Sequence, residues 1–371
     1  MYQEDSDKTD PRPTGFINSF VKCLESVVNK DETHTTHDMS FSSIALATWL
    51  TEQISAEHCE FTPLSFKVNS DGWSNLLIDI NHCWMLRLSR YVTDVQRQLP
   101  PPRFELENRL ISALTDAGMD SALLPQSSLF NPALQSLADT AHQSAIPERA
   151  IAMLYPKITG RHPTNEDFSG SSLNELAHGV ALFLAKLHSL PLASVAQNAV
   201  SDSATSELSS YPYGDEFFLN DILPSTLKYL SPRGKHAAYT YFEDACNQFE
   251  LHSTVPKVIC HGDLGLGNLL VNPEGTLAGV LDFSDICIGD PAMDFAPLWR
   301  RAPQHFVENI LHHYRTLLPT GQWQKSQPQS LTERICFQTL RKAAFVVWYA
   351  EQYGFKEGMT ASLNYLTQHF D

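Results

Sequence analysis

The sequence predicts an α+β chain with a small antiparallel sheet in its first half and a larger, mainly helical second half. Three observations carry this. Alternating apolar residues recur over 64–88 and an apolar strand returns at 151–155. One helical stretch is inserted between them, and helical apolar spacing dominates after 173.

Residues 1–60 read as an N-terminal extension. Its polar start, with Pro11 and Pro13, is expected to be disordered. Phe16, Phe20, Val21, Leu24 and Val28 then fall near helical spacing, as does Ile44–Ile54. Residues 61–154 form the sheet-bearing unit. Leu64–Val68 alternates, a turn follows at Ser70–Trp73, and Asn75–Ile80 and Trp84–Leu88 are strands joined at Asn81-His82. After Pro100–Pro102 comes a helix from Phe104 to Ala117, stopped by Gly118, and then Ile151–Tyr155, stopped by Pro156. Residues 155–371 form the helical unit. Leu176, Val180, Phe183, Leu184 and Leu187 line one face of a long helix over Leu173–Leu187, with further helices around Phe217–Tyr229 and Ala237–Leu251. Two short strands, Lys257–Cys260 and Leu277–Leu281, interrupt that run.

Composition narrows the function. Acidic residues outnumber basic ones 42 to 26, a formal charge of −16. Nucleic acid and anionic membranes need clustered Lys and Arg, so neither is the expected partner. The seven cysteines are widely spaced with no C-x-x-C pair, which suits a reducing cytosol better than a disulfide framework or zinc site. A polar, acidic N-terminus and the lack of a long apolar run give the expectation of a cytoplasmic protein, monomeric or weakly dimeric.

Two strand-ending motifs carry the chemistry. The first is His261-Gly-Asp263-Leu-Gly-Leu-Gly-Asn268, followed by Leu269-Leu-Val271; the second is Leu281-Asp282-Phe283-Ser284-Asp285. Phosphoryl transfer from a nucleotide needs a hard cation held by oxygen ligands and a carboxylate beside the attacking hydroxyl. In this pattern Asp263 would accept the hydroxyl proton, while Asn268 and Asp282 would hold Mg2+. A metal-dependent hydrolase using His261, Asp263 and Asp282 is disfavoured, because no second histidine motif completes the ligand set.

The run Ile259–Asn268, then Gly279–Asp285, then Ile288-Gly-Asp-Pro-Ala-Met-Asp-Phe-Ala296 resembles the aminoglycoside phosphotransferase family of antibiotic kinases, which includes macrolide kinases. The match covers about forty residues in three spaced motifs, with weaker support over Phe66–Leu190, including Leu184-Ala-Lys-Leu-His-Ser189. The resemblance implies a two-lobed protein-kinase-like fold and ATP or GTP as co-substrate. It places Arg87 where a kinase strand lysine sits, with Glu107 as its helix partner and Glu105 as the rival. Arg87 snorkelling from a strand beside a solvated Glu107 is the plainer alternative. Tyr155, Lys157 and Ile158 resemble the family's hinge, whose backbone binds the purine edge. His261 and Asp294 are expected to brace the loop, and Asp290 to cap a helix with Pro291 in its first turn. Asp285 faces either acceptor or solvent. The single glycine in Val68–Asn75 departs from the glycine-rich loop of protein kinases, leaving open which amides meet the phosphates.

Between 201 and 255 acids outnumber bases, and Asp215 and Glu216 lie beside Phe217 and Phe218. That suits a cationic acceptor, such as an aminoglycoside or macrolide. A metabolic kinase acting on an amino alcohol or sugar is the alternative, and a non-catalytic kinase-like binding protein a more remote one.

Overall fold

The computed structural model describes residues 18–24, 43–54, 65–69, 74–93, 99, 101–132, 149–196, 214–251, 255, 257–318, 331–354 and 358–371. The polar start of the chain and the expected turn at 70–73 lie outside these residues. The chain divides into two compact units, Met1–Asn108 with Gln126–Lys157, and Arg109–Pro125 with Ile158–Asp371.

The first unit is built on one antiparallel sheet. Its strands are β1 (Phe66–Asn69), β2 (Asn75–Ile80), β3 (Trp84–Ser89), β4 (Ser128–Phe130) and β5 (Ala152–Pro156), in the spatial order β1-β2-β3-β5-β4. Helix α1 (Ser43–Gln53) puts Leu46, Trp49 and Leu50 into the core with Ile78, Leu86, Leu88 and Phe130. Strand β1 alternates half-buried and exposed residues, as an edge strand with one wet face should. Strand β3, in the middle, buries four of six residues. Asn81 and His82 both adopt positive φ between β2 and β3, which turns the chain tightly enough to pair Ile80 with Trp84. Helix α2 (Phe104–Asp116) follows the proline segment, and the boundary between the units falls within it.

The second unit is mainly helical. Helix α3 (Gly170–Ser189) buries Leu176, Val180, Phe183, Leu184 and Leu187 at 1% exposure or less. A leucine-to-alanine change on that face costs about 2–5 kcal/mol. The expected helix around Phe217–Tyr229 is in three pieces: Asp215–Phe217, a wider π turn over Phe218–Ile222, and Leu223–Leu227. Helix α4 (Pro232–Leu251) follows. The two short strands become two small antiparallel pairs. Strand β6 (Val258–Cys260) pairs with β9 (Cys287–Gly289), and β7 (Leu269–Val271) with β8 (Leu277–Val280). Helices α5 (Ala292–Arg301), α6 (Gln304–Leu317), α7 (Leu331–Tyr353) and α8 (Met359–Phe370) complete the unit. Phe218, Phe242, Phe337, Leu340, Val347 and Leu366 share one core. No described helix is long and apolar enough to cross a membrane, and the six described cysteines are free.

Candidate active site

The β6–β9 and β7–β8 pairs place the two motifs on adjoining turns. His261 leaves β6 wholly buried. Its Nε2 lies 3.0 Å from the Leu281 carbonyl, which can only accept, so Nε2 carries the proton. Its Nδ1 then accepts the Asp263 amide at 3.3 Å. The ring lies 4.9 Å from that of Phe283, itself fully buried. His261 therefore ties the first motif to the end of β8 and is a brace. Gly262 has φ +85°, and a Cβ there would sit 2.1 Å from the Asp285 carbonyl oxygen, so only glycine permits this close approach.

Asp294, on α5, is the hub beneath the loop. It is fully buried and accepts the His261 amide at 2.9 Å, the Gly262 amide at 2.8 Å and His188 Nε2 at 3.0 Å. Burial alone would push its carboxyl up, but the His188 hydrogen bond, followed by the electrostatic pull of His188 and His261 and by the Gly262 amide, outweighs it and holds the pKa below the ordinary value. His188 Nδ1 in turn meets the Tyr314 hydroxyl at 2.7 Å. The His188, Cys260 and Asp294 ligand atoms cluster within 4.8 Å, but the histidine's two nitrogens and the carboxylate are committed to this network. Asp290 does bind the start of α5, by accepting the Ala292 amide at 2.9 Å. Helix α5 begins at Ala292 with Pro291 as its cap, one residue later than expected. The other Asp290 oxygen takes the buried Arg334 guanidinium at 2.7 Å.

Asp263 itself is half exposed, with its side chain at 45%. Its carbonyl accepts Gly265 N and Asn268 Nδ2, each at 2.8 Å, which folds the loop into the short helical turn Leu266–Asn268. Its carboxyl is raised above the ordinary value, first by partial burial and then by the charges of Asp285 and Asp282, against the pull of Lys342. A raised pKa makes a carboxylate a stronger proton acceptor. Lys342 Nζ, from α7, lies 3.2 Å from Asp263 Oδ1 and 3.2 Å from Asp285 Oδ2.

Asp282 is exposed and sits at φ 60°, ψ 73°, a left-handed conformation that costs a non-glycine residue energy and so marks a constrained site. Ser284 Oγ donates to its Oδ1 at 2.8 Å. The residues fit a hard cation. With Asn268 Nδ2 spent on a carbonyl, its amide oxygen is turned the other way, and Asp282 adds a carboxylate, giving an all-oxygen donor set.

In the first unit, Arg87 Nη1 meets Glu107 Oε2 at 2.6 Å, both side chains buried, with the guanidinium 5.3 Å from the Phe104 ring centre. The rival Glu105 accepts the Ala150 amide at 2.5 Å instead. In the segment read as the hinge, Lys157 directly follows β5. Its amide donates to the Cys83 carbonyl at 2.7 Å and its ammonium to Asp79 at 2.5 Å, so its donors are held by the sheet. Tyr155 packs in β5 against Phe104 and Met153, and Ile158 packs over Gly279. Asp215, a residue read as acceptor-binding, has a cationic partner. Arg341 neutralises it with a short ion pair while stacking 4.8 Å from the Phe218 ring centre, whereas Glu216 is exposed. Tyr211 and Tyr213, which the sequence places among the same acids, lie outside the described residues.

Sequence reasoning missed Lys342, Arg341, Arg334 and Tyr314, whose roles depend on which loops α6 and α7 meet. His188 had a local signal, since it follows Leu184 by four residues on the buried face of α3.

The site is a half-exposed aspartate on a loop braced by a buried hub, and the family match gives its class, a phosphotransferase. The chain belongs to the phosphotransferase enzyme family, whose family model matches residues 65–325. Among solved structures it is similar to the GDP and kanamycin complex of APH(2")-IIia, with a TM-score of 0.61 at 15% identity, covering 85% of this chain and 94% of that one. The streptomycin-ATP-APH(2")-IIa ternary complex gives 0.55 at 17%, over 90% and 97% of the two chains. Macrolide 2'-phosphotransferase type I gives 0.52 at 16%, over 87% and 97%. At these identities the likeness shows the fold.

Proposed function

We propose that the protein transfers the γ-phosphoryl group of ATP or GTP to a hydroxyl of a small, amine-bearing molecule such as an aminoglycoside or macrolide antibiotic. The observation that carries this is the half-exposed Asp263 carboxylate, on a loop whose backbone is fixed by Asn268, Gly265 and His261. Asp263 accepts the acceptor's hydroxyl proton as that oxygen bonds to the γ-phosphorus, and the nucleoside diphosphate leaves as the bridging P–O bond breaks. Asn268 and Asp282 would hold Mg2+, which, when bound, neutralises charge on the phosphate oxygens. Arg87, fixed by Glu107, presents a buried positive charge suited to nucleotide phosphates. His261 and Asp294 keep the loop in register.

The amine on the acceptor is supported by the charge of −16 and by the exposed Glu216. The pairing of Asp215 with Arg341 and of Asp285 with Lys342 leaves fewer free carboxylates for a cation and favours the second reading, a metabolic kinase acting on an amino alcohol or sugar, on its sugar side. The test is nucleotide consumption against kanamycin, streptomycin, macrolides, amino alcohols and neutral sugars, with product mass measured. Turnover preferred on an aminoglycoside or macrolide, with KM rising as salt rises, fits the first reading. Preferred turnover on neutral sugars, with KM insensitive to salt, overturns it in favour of the second.

A further inference from the structure

We propose that Lys342 is a positioning residue for the transfer, orienting the Asp263 carboxylate so that one of its oxygens faces the acceptor. This rests on the reading of Asp263 as the proton acceptor. An ammonium has three donors, and here three oxygens from two motifs surround it. They are Asp263 Oδ1 and Asp285 Oδ2, each at 3.2 Å, and the Gly262 carbonyl at 3.4 Å. Lys342 is only 15% exposed, so these contacts are partly shielded from water.

The loop's other bonds do not do this job. Asn268 Nδ2 and Gly265 N hold the Asp263 carbonyl, and the Asp263 amide binds His261, so the backbone is fixed three ways. The carboxylate still turns about its last side-chain torsion, which is broad and twofold. Among the described residues, the one hydrogen bond or ion pair to the Asp263 carboxylate is that of Lys342. By taking Oδ1, the ammonium leaves Oδ2 as the oxygen available to a hydroxyl. It also stands between the Asp263 and Asp285 carboxylates, where Gly262, next to Asp263, lets the Asp285 carbonyl approach closely, and without it their repulsion would splay them.

Lys342 extends from α7, which also supplies Arg334 to Asp290 and Arg341 to Asp215. Those two cations fix the start of α5 and the segment before the π turn. Lys342 alone of the three reaches the carboxylate assigned to the chemistry.

The test compares Lys342→Met, Lys342→Gln and Lys342→Arg, each alone and in the Asp263→Asn background. Rates are normalised to nucleotide-binding sites, so that misfolded protein does not count. Turnover is read with the best acceptor of the panel above and also with water as acceptor. Lys342→Met and Lys342→Gln are expected to lower kcat by about 10- to 100-fold while nucleotide KM stays within about twofold. Lys342→Arg should recover part of that loss. In the Asp263→Asn background the same changes should alter the residual rate by less than about threefold, because Lys342 acts through Asp263. A wild-type kcat in Lys342→Met and Lys342→Gln would overturn the proposal, as would an equal fold-loss in both backgrounds. If Asp263→Asn alone keeps its kcat, the reading of Asp263 fails and this inference with it. If Asp263→Asn is impaired and Lys342→Met is not, only this inference fails.

Discussion

His188 Nε2 donates to Asp294 Oδ2 across 3.0 Å, with neither side chain exposed to solvent. The contact joins α3 to α5 and fixes the carboxylate that receives the His261 and Gly262 amides. Asp294→Ala strands both amides in the interior, at about 1–3 kcal/mol for each. The expected outcome is a lower denaturation midpoint together with a large loss of kcat. An unchanged midpoint would contradict the hub.

The Arg87–Glu107 pair makes a separate prediction for the first unit. Removing one partner leaves the other charge buried, so Glu107→Ala should destabilise by about 3–5 kcal/mol. Arg87→Ala should weaken nucleotide binding more than Glu107→Ala does. The double variant should be less damaged than the two singles added together, as expected for side chains in contact. Strict additivity in a denaturation cycle would contradict a working pair.

Stability should depend on acid through Asp167. Arg161 grips its carboxylate at 2.6 and 2.8 Å and, with the Thr164 amide, lowers the pKa from 3.8 to about 2. A depressed carboxyl stabilises the fold above its unfolded pKa and loses that contribution as pH falls through its folded pKa. Asp167→Asn should therefore cost up to about 2 kcal/mol at pH 7, less the solvent screening of the half-exposed Arg161. The difference from wild type should shrink between pH about 4 and about 2. Denaturation curves at several pH values check this, and a gap that persists below pH about 2 would contradict it.

Metal dependence is the next expectation. Asp282→Ala should abolish turnover while leaving the denaturation midpoint close to wild type, because the side chain is exposed. EDTA should stop the wild-type enzyme, and added Mg2+ should restore it. Turnover that survives either treatment would contradict the assignment of Asn268 and Asp282.

Much of this was legible in the sequence because it is local. Strand β2 has the expected bounds, Asn75–Ile80, since its apolar pattern and the Asn81-His82 turn are both short-range signals. The motifs around Asp263 and Asp282 are each contiguous, so the family resemblance that implies the kinase-like fold could be seen in them. Strands β4 and β9, three residues each, are too short to leave a periodic pattern. The π turn at Phe218–Ile222 cannot be told from a helix by spacing of that length. Lys342 is 79 residues beyond Asp263 in the chain (342 minus 263), and nothing in the sequence around it marks its partner. Lys157 shows the converse, a residue rightly placed after β5 whose donors turn back to Cys83 and Asp79.

The most direct test of the account is Asp263→Asn, which keeps the side chain's shape and removes its basicity. Nucleotide affinity is measured by titration and phosphoryl transfer by product mass, on the same preparation. The account predicts a fall in kcat of about 10²–10⁴ with nucleotide affinity nearly unchanged. A kcat close to wild type, or a large loss of ATP or GTP binding with kcat retained, would contradict it.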